Sequence, residues 1–177
     1  MKKEIVMMVG PTEVPERILN AMHTKSISHR SKEYCEIQGR VQEGLKKIFN
    51  TKNDVYIITA SGTGAMEAAI QNCFSFGDEI VVPVIGTFSE QFAAMAESFN
   101  LNVKRVKFEL GEAADVGRVM ENVTPNTKGV FVIHNESSTG VYNDLEAFGK
   151  ALKDKDILFG TDSVSGAAGL ELKMDEW

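Results

Sequence analysis

The stretch VYIITASGTGAMEAAIQNCF, residues 55–74, decides how this sequence can fold. It begins with an apolar, β-favouring run at 55–58, breaks at small residues over 60–64, and resumes as a run that favours helix. A strand that leads through a small-residue turn into a helix creates an anion site, because the first backbone N–H groups of a helix have no intrahelical partner. The pattern therefore predicts that this turn binds the phosphate of a cofactor.

The candidate phosphate ligands are Ser61, Gly62 and Thr63, which combine close backbone approach with hydroxyl donors. A purely structural interpretation stays open, since Gly and Ser are ordinary turn residues after any strand. The turn is not a dinucleotide fingerprint, because the third glycine position holds Glu67. It is not a P-loop either, because no Gly-Lys-Ser/Thr follows.

Strand and helix patterns alternate along the rest of the chain, which indicates βαβ units and a largely parallel sheet. We predict strands at 79–84, 103–108, 129–133, 157–162 and 167–172, and helices at 16–22, 89–99, 113–122 and 144–153. A further helix follows Ser31, its predicted N-cap, and carries an apolar stripe that we expect to pack in the core: Tyr34, Ile37, Val41, Leu45 and Ile48.

The composition is that of an ordinary globular protein, with 177 residues of which 43% are hydrophobic and 25% charged. A net charge of -6 argues against nucleic acid as the main partner, and no segment is long and apolar enough to span a membrane. The two cysteines, Cys35 and Cys73, form no metal or redox spacing and favour reduced thiols in a cytoplasmic protein. The three histidines are scattered and suggest no metal site.

Asp162 ends an apolar strand, where a carboxylate is costly unless a cation or a donor faces it. Ligands of open α/β sheets bind at the carboxyl ends of the strands, so this residue falls on the same edge as the phosphate turn. One interpretation is a partner for the protonated ring nitrogen of pyridoxal phosphate. The alternative is a helix cap or an aspartate bonded to backbone.

Two further features fall on this edge. Phe88, at the head of a predicted helix, either stacks on a planar cofactor ring or belongs to the core. Ser137 or Ser138 either bonds a phenolic oxygen of the cofactor or holds its own loop. Together with the phosphate turn and Asp162, these features describe one cofactor, pyridoxal 5'-phosphate.

The sequence resembles the class V aminotransferases of pyridoxal phosphate fold type I, near the alanine–glyoxylate and serine–pyruvate enzymes. The resemblance runs along the whole chain and is carried by five segments: residues 10–15, 29–31, 60–68, 134–141 and 161–165. It implies a three-layer αβα fold with a mostly parallel sheet, present as an incomplete large domain over residues 31–177. Residues 1–30 would form an N-terminal arm and substrate-pocket loop, and the C-terminal small domain would be absent.

The resemblance also implies roles for single residues. Ser61, Gly62 and Thr63 would hold the cofactor phosphate, and Phe88 would stack on the pyridine ring. Ser137, with Ser138 as the near alternative, would approach the phenolic oxygen. Asp162 would pair with the pyridine nitrogen. A separate loop would border the substrate pocket, with the residues Gly10, Pro11 and Thr12.

The implied activity is amino-group transfer from a small amino acid, such as alanine or serine, to glyoxylate or pyruvate. The Schiff-base lysine of the family follows the next strand beyond the aspartate, and no lysine here lies in a matching motif. We therefore expect an N-terminal fragment, inactive alone, whether through truncation, a split gene or a shortened reading frame. The full-length protein is expected to be a homodimer. The alternative is a non-catalytic cofactor-binding module or one half of a split enzyme.

Overall fold

The computed structural model of the protein describes residues 5–177, and the chain divides into two compact units. The first unit ends at Leu45 and contains helix α1 (Glu16–Met22) and most of helix α2 (Lys32–Phe49). The backbone N–H of Tyr34 donates to Ser31 Oγ at 3.2 Å, so Ser31 caps α2 as predicted. The predicted boundary between residues 30 and 31 stays a prediction.

The second unit, Lys46–Trp177, is built on a four-stranded parallel sheet flanked by helices. In chain order its elements are α3 (Gly62–Cys73), β1 (Glu79–Val84), α4 (Thr87–Ser98), β2 (Asn102–Lys107), α5 (Val116–Met120), β3 (Thr127–Ile133), β4 (Asn135–Glu136), β5 (Val141–Tyr142), α6 (Leu145–Leu152) and β6 (Leu158–Asp162). The sheet has the strand order β2-β1-β3-β6, and β4 and β5 form a separate antiparallel pair.

Both faces of this sheet are covered by apolar side chains, so the unit has three layers. Along β3, Val130 and Val132 join a cluster that includes Phe148 of α6. Phe131, which alternates with them, joins a second cluster that includes Phe92 of α4. This alternation places helices on both faces and confirms the predicted α/β fold with a mostly parallel sheet.

Two predicted strands are wrong. Residues 55–58 lead into the turn before α3 but form no strand, and Tyr56, Ile57 and Ile58 are 79%, 53% and 54% exposed. Residues 167–172 form turns and one isolated bridge, from Ala167 to Leu170. A strand requires a ladder partner, and within residues 5–177 the sheet ends at β6 without a partner for either segment.

The apolar stripe on α2 is not core. The helix contains no buried residue, and Ile37, Val41 and Ile48 are all exposed. The stripe has helical spacing because the helix is amphipathic, but no described element buries it.

The helix predicted at 113–122 is shorter than expected, since Asp115 caps it and it ends at Met120.

None of the helices within residues 5–177 combines the length and apolar character that a membrane crossing requires.

Candidate cofactor site

A cavity of about 150 Å³ lies at the edge of the sheet where β3 and β6 end and α3 and α4 begin. This is the edge at which open α/β sheets bind ligands. The structure places every predicted cofactor residue except Ser61 in its lining: Gly62, Thr63, Phe88, Ser137 and Asp162.

The N-terminus of α3 is open toward a ligand. Ser61 is its N-cap and accepts a hydrogen bond from the backbone N–H of Gly64 at 3.3 Å. Among the residues that the structure describes, no acceptor is bonded to the N–H groups of Gly62 or Thr63. These are the two free donors that a helix terminus offers to an anion. A Cβ on Gly62 would lie 2.9 Å from Val164 Cγ2, so the absence of a side chain lets the two segments approach closely.

Asp162 is partly buried at the end of β6, and its Oδ1 accepts the backbone N–H of Val164 at 2.8 Å. Burial raises the pKa of Asp162, the Val164 hydrogen bond lowers it, and the negative charge of Glu136 raises it further. Within residues 5–177, no lysine, arginine or histidine forms an ion pair with this carboxylate. Asp162 is therefore bonded to backbone, as the alternative interpretation predicts, and no cationic side chain among the described residues balances its charge.

Phe88 does not belong to the core, because it is 37% exposed and lines the cavity. The two serine alternatives also differ in position. Ser137 lines the cavity and donates to Ser165 Oγ at 2.7 Å. Ser138 is outside the lining and donates its hydroxyl to Glu136 at 2.7 Å.

Five lining residues were not among the predicted cofactor residues, and two of these, Asn135 and Ser165, are polar. Ser165 Oγ accepts from Asn135 Nδ2 at 2.8 Å and donates to the Asn135 carbonyl at 2.9 Å, so it joins the turn after β6 to β4. Both residues lie in polar runs directly after predicted strands. Ser163 and Ser165 closely follow Asp162, and these two hydroxyl residues after a predicted strand are the signal from which Ser165 could have been predicted.

His134 lies beneath the site and is fully buried. Its backbone N–H donates to the Asp162 carbonyl at 2.8 Å, and its Nδ1 is 2.7 Å from Ser163 Oγ. Nε2 has no partner among the described residues. Burial lowers the pKa of His134, so the ring is neutral at neutral pH and supports the turn after Asp162 without adding a charge.

A second, larger cavity of about 620 Å³ adjoins the first and shares four lining residues with it: Gly62, Met66, Asp162 and Val164. It is also lined by Val55 and Tyr56, from the exposed run that precedes the phosphate turn. The larger cavity therefore lies beside residues 55–58, which pair with no strand within residues 5–177, and beside β6, which pairs with β3 on one side only.

The three predicted substrate-pocket residues, Gly10, Pro11 and Thr12, belong to the first unit and are exposed. Their predicted role stays a prediction.

The residues of the site fit pyridoxal 5'-phosphate. Free backbone donors at a helix terminus suit a phosphate, and a partly buried carboxylate without a cation suits a protonated ring nitrogen. No group of three or more His, Cys, Asp or Glu side chains within residues 5–177 could hold a metal ion. The fold and the site thus define an α/β protein with a candidate phosphate-cofactor site.

The chain belongs to the class V aminotransferase family, whose pattern it matches over residues 10–177. A relative from Methanocaldococcus jannaschii, named as an uncharacterised aminotransferase, is 38% identical over 99% of this chain and 46% of its own length. The serine–glyoxylate aminotransferase of Methylorubrum extorquens is 33% identical over 95% of this chain and 44% of its own.

A crystal structure of ureidoglycine–glyoxylate aminotransferase from Bacillus subtilis superposes with a TM-score of 0.93 at 31% identity. The match covers 97% of this chain and 45% of that one. This chain therefore spans less than half the length of each of these three proteins.

Proposed function

We propose that this chain forms the cofactor-binding part of a pyridoxal phosphate-dependent transaminase. The observation that carries the proposal is the single cavity that brings together the open N-terminus of α3 and the Asp162 carboxylate. Pyridoxal phosphate, when bound, supplies the electron sink that amino-group transfer requires.

Each residue of the site has a role in this proposal. The N–H groups of Gly62 and Thr63, with the hydroxyls of Ser61 and Thr63, bind the phosphate. Asp162 keeps the ring nitrogen protonated, and Phe88 covers one face of the ring. Ser137, which lines the same cavity, bonds the phenolic oxygen.

The proposed reaction transfers the amino group of a small amino acid, such as alanine or serine, to glyoxylate or pyruvate. The names of the M. extorquens and B. subtilis relatives share glyoxylate and differ in the donor, which favours glyoxylate as the acceptor. The proposal assigns the substrate pocket to the loop formed by Gly10, Pro11 and Thr12.

We further propose that this chain alone does not catalyse transamination. No lysine lines either cavity within residues 5–177, and none lies in the family's Schiff-base motif. The group that must carry the cofactor and move the substrate proton is therefore not among the residues at the site. A binding module without catalysis, or half of a split enzyme, is the alternative that shares this observation.

We also propose that the complete protein is a homodimer. Apolar side chains stay exposed along α1 and α2, including Leu19, Met22 and Val41, and contiguous exposed apolar surface is typical of interfaces. Sedimentation of the 177-residue chain at increasing concentration measures whether these helices suffice for association.

Calorimetric titration of the 177-residue chain with pyridoxamine 5'-phosphate tests the cofactor proposal. This ligand lacks the aldehyde, so exposed lysines do not react with it. Pyridoxamine without the phosphate is the matched control ligand. We expect saturable binding of the phosphorylated ligand and binding at least about tenfold weaker for the control, since charge-assisted hydrogen bonds contribute about 1.5–3 kcal/mol each. Equal affinity for the two ligands, or no binding by the folded chain, would refute the proposed site.

A further inference from the structure

Glu136 is a buried carboxylate that the proposed chemistry does not use. It is 0% exposed and is the last residue of β4, next to Ser137. Its side chain has no cationic partner among the described residues, and backbone and hydroxyl donors surround it instead. Burying a carboxylate without a cationic partner costs free energy unless hydrogen-bond donors compensate for its lost hydration.

The donors come from the first turn of α4. Glu136 Oε1 accepts the backbone N–H of Phe88 at 3.2 Å, and Oε2 accepts the backbone N–H of Ser89 at 3.0 Å. The hydroxyl of Ser89 is also within 3.1 Å of Oε2. The carboxylate therefore satisfies helix N-terminal donors that have no intrahelical partner, and it lies where the helix dipole favours negative charge.

The turn that follows Glu136 contributes a second attachment. Ser138 donates both its N–H, at 3.2 Å, and its hydroxyl, at 2.7 Å, to Glu136 Oε1. Ser138 Oγ in turn accepts the backbone N–H of Thr87 at 3.0 Å. Packing here is tight, since a Cβ on Gly86 would lie 2.5 Å from Glu136 Cγ. The start of α4 is thus held at several points against the end of β4 and the turn that follows it.

Burial by itself raises the pKa of Glu136, but the hydrogen bonds from Ser138, Ser89 and Phe88 together outweigh it, and the pKa lies below its ordinary value. The carboxylate is therefore ionised at neutral pH and accepts all of these bonds at once.

We propose that Glu136 is a positioning residue that fixes Phe88 at the cofactor cavity by anchoring the first turn of α4. The inference rests on the proposed function, because it gives Phe88 its role against the cofactor ring. Glu136 itself does not line the cavity. It acts through the Phe88 backbone, whose N–H it holds while the side chain reaches the cavity.

A double-mutant cycle tests this role, with pyridoxamine 5'-phosphate affinity as the readout. Glu136→Gln keeps the side-chain shape, but its amide nitrogen cannot accept hydrogen bonds. We expect Glu136→Gln and Phe88→Ala each to weaken binding roughly 3- to 10-fold, the range of one lost aromatic contact. Because both act on the same ring, the double variant should be no weaker than Phe88→Ala alone.

The matched control is Glu79→Gln. Glu79 also accepts short hydrogen bonds, from Thr124 and Thr127 at 2.6 Å each, but it lies at the opposite end of β1 from the site. It should lose stability and keep the wild-type affinity. Wild-type affinity in Glu136→Gln, or losses that multiply in the double variant, would overturn the positioning role. If folded wild type does not bind, the proposed function fails, and the anchoring of α4 by Glu136 is then tested by hydrogen exchange without a ligand.

A cofactor-free measurement keeps the anchor testable if binding is weak or Glu136→Gln unfolds. In native hydrogen exchange, the N–H groups of Phe88 and Ser89 should be protected, although first-turn amides ordinarily exchange quickly. The milder variant Ser138→Ala should reduce that protection at least threefold without unfolding the chain. Unprotected amides at both positions in wild type would refute the anchor.

Discussion

The two helices that begin at the cavity have N-termini of opposite character. At α4, Glu136 and Ser138 occupy the N–H groups of Thr87, Phe88 and Ser89 from within the protein. At α3, Ser61 occupies only the N–H of Gly64, and the two preceding donors have no acceptor within residues 5–177. Both helices have 12 residues, so their dipoles are similar.

This difference indicates that the N-terminus of α4 has a structural role and that the N-terminus of α3 is the one available to a ligand. The terminus of α4 is neutralised by a carboxylate of the fold, and a ligand anion there would meet a negative charge. The terminus of α3 carries no acidic residue in its first turn and opens into the cavity. A helix N-terminus alone would not identify a phosphate site; the contrast between two termini at one cavity supports the assignment to α3.

The largest expected effect is a loss of ligand affinity on substitution of Asp162, which lines the same cavity as the N-terminus of α3. Asp162→Asn should weaken pyridoxamine 5'-phosphate binding by roughly 10- to 100-fold, because it removes a charge-assisted hydrogen bond of about 1.5–3 kcal/mol. Calorimetry measures the loss. Asp154→Asn, an exposed position away from the cavity, should bind like wild type. Equal affinities for the two variants would remove Asp162 from the site.

The second prediction compares how tightly the two helix N-termini are packed, through the stability that each loses when its glycine is replaced. Gly86→Ala should lower the free energy of unfolding by about 1–3 kcal/mol, because the new Cβ would overlap the buried Glu136 side chain. Gly62→Ala meets only a methyl group of Val164, which is 74% exposed and free to shift. It should cost less than about 1 kcal/mol. Urea denaturation compares them, and equal losses would mean that the two termini are packed alike.

A smaller loss is expected at the cap of the open terminus. Ser61→Ala removes the acceptor for the Gly64 N–H and should cost about 1 kcal/mol of stability. Ser61→Gly is the matched comparison, since glycine is tolerated at N-caps and should cost only a few tenths of a kcal/mol. A larger loss for the glycine variant would contradict the capping role.

The smallest expected effect is a gain in stability, whereas the glycine and serine substitutions above are expected to lower it. Since burial raises the pKa of folded Asp162, the stability that this group contributes is present below its unfolded pKa, near 3.9, and is lost as pH rises through the folded pKa. Asp162→Asn should therefore melt slightly higher than wild type at pH 7, and the difference should disappear toward pH 4. Thermal melts at both pH values measure it, and a lower melting temperature at pH 7 would contradict the account.

Much of this architecture was predictable from local patterns. The apolar runs that became β1, β3 and β6 are bounded by turn residues, and each found a parallel neighbour. The cavity residues were predictable because small and polar residues follow those strands at the edge where ligands bind. Asp162 and Phe88 stand out there as a carboxylate and an aromatic among small polar residues.

The failures arise where an element depends on a partner that local sequence cannot supply. Residues 55–58 are as apolar and β-favouring as β1, yet no strand within residues 5–177 pairs with them, and Tyr56, Ile57 and Ile58 remain exposed. The stripe of α2 has the spacing of a core helix and is not buried. Glu136 was missed for a different reason, since the backbone N–H donors that reach it from α4 are 47 and 48 residues away, a separation that no local sequence pattern reveals.

The most direct test of the central claim is titration of the 177-residue chain with pyridoxal 5'-phosphate, followed by borohydride reduction and intact-mass measurement. The claim is that this chain holds the cofactor between α3 and Asp162 but has no lysine at the site to carry it. It predicts saturable, reversible binding with no stoichiometric adduct at a single lysine. One stoichiometric adduct at a single lysine, or no binding by the folded chain, would contradict it.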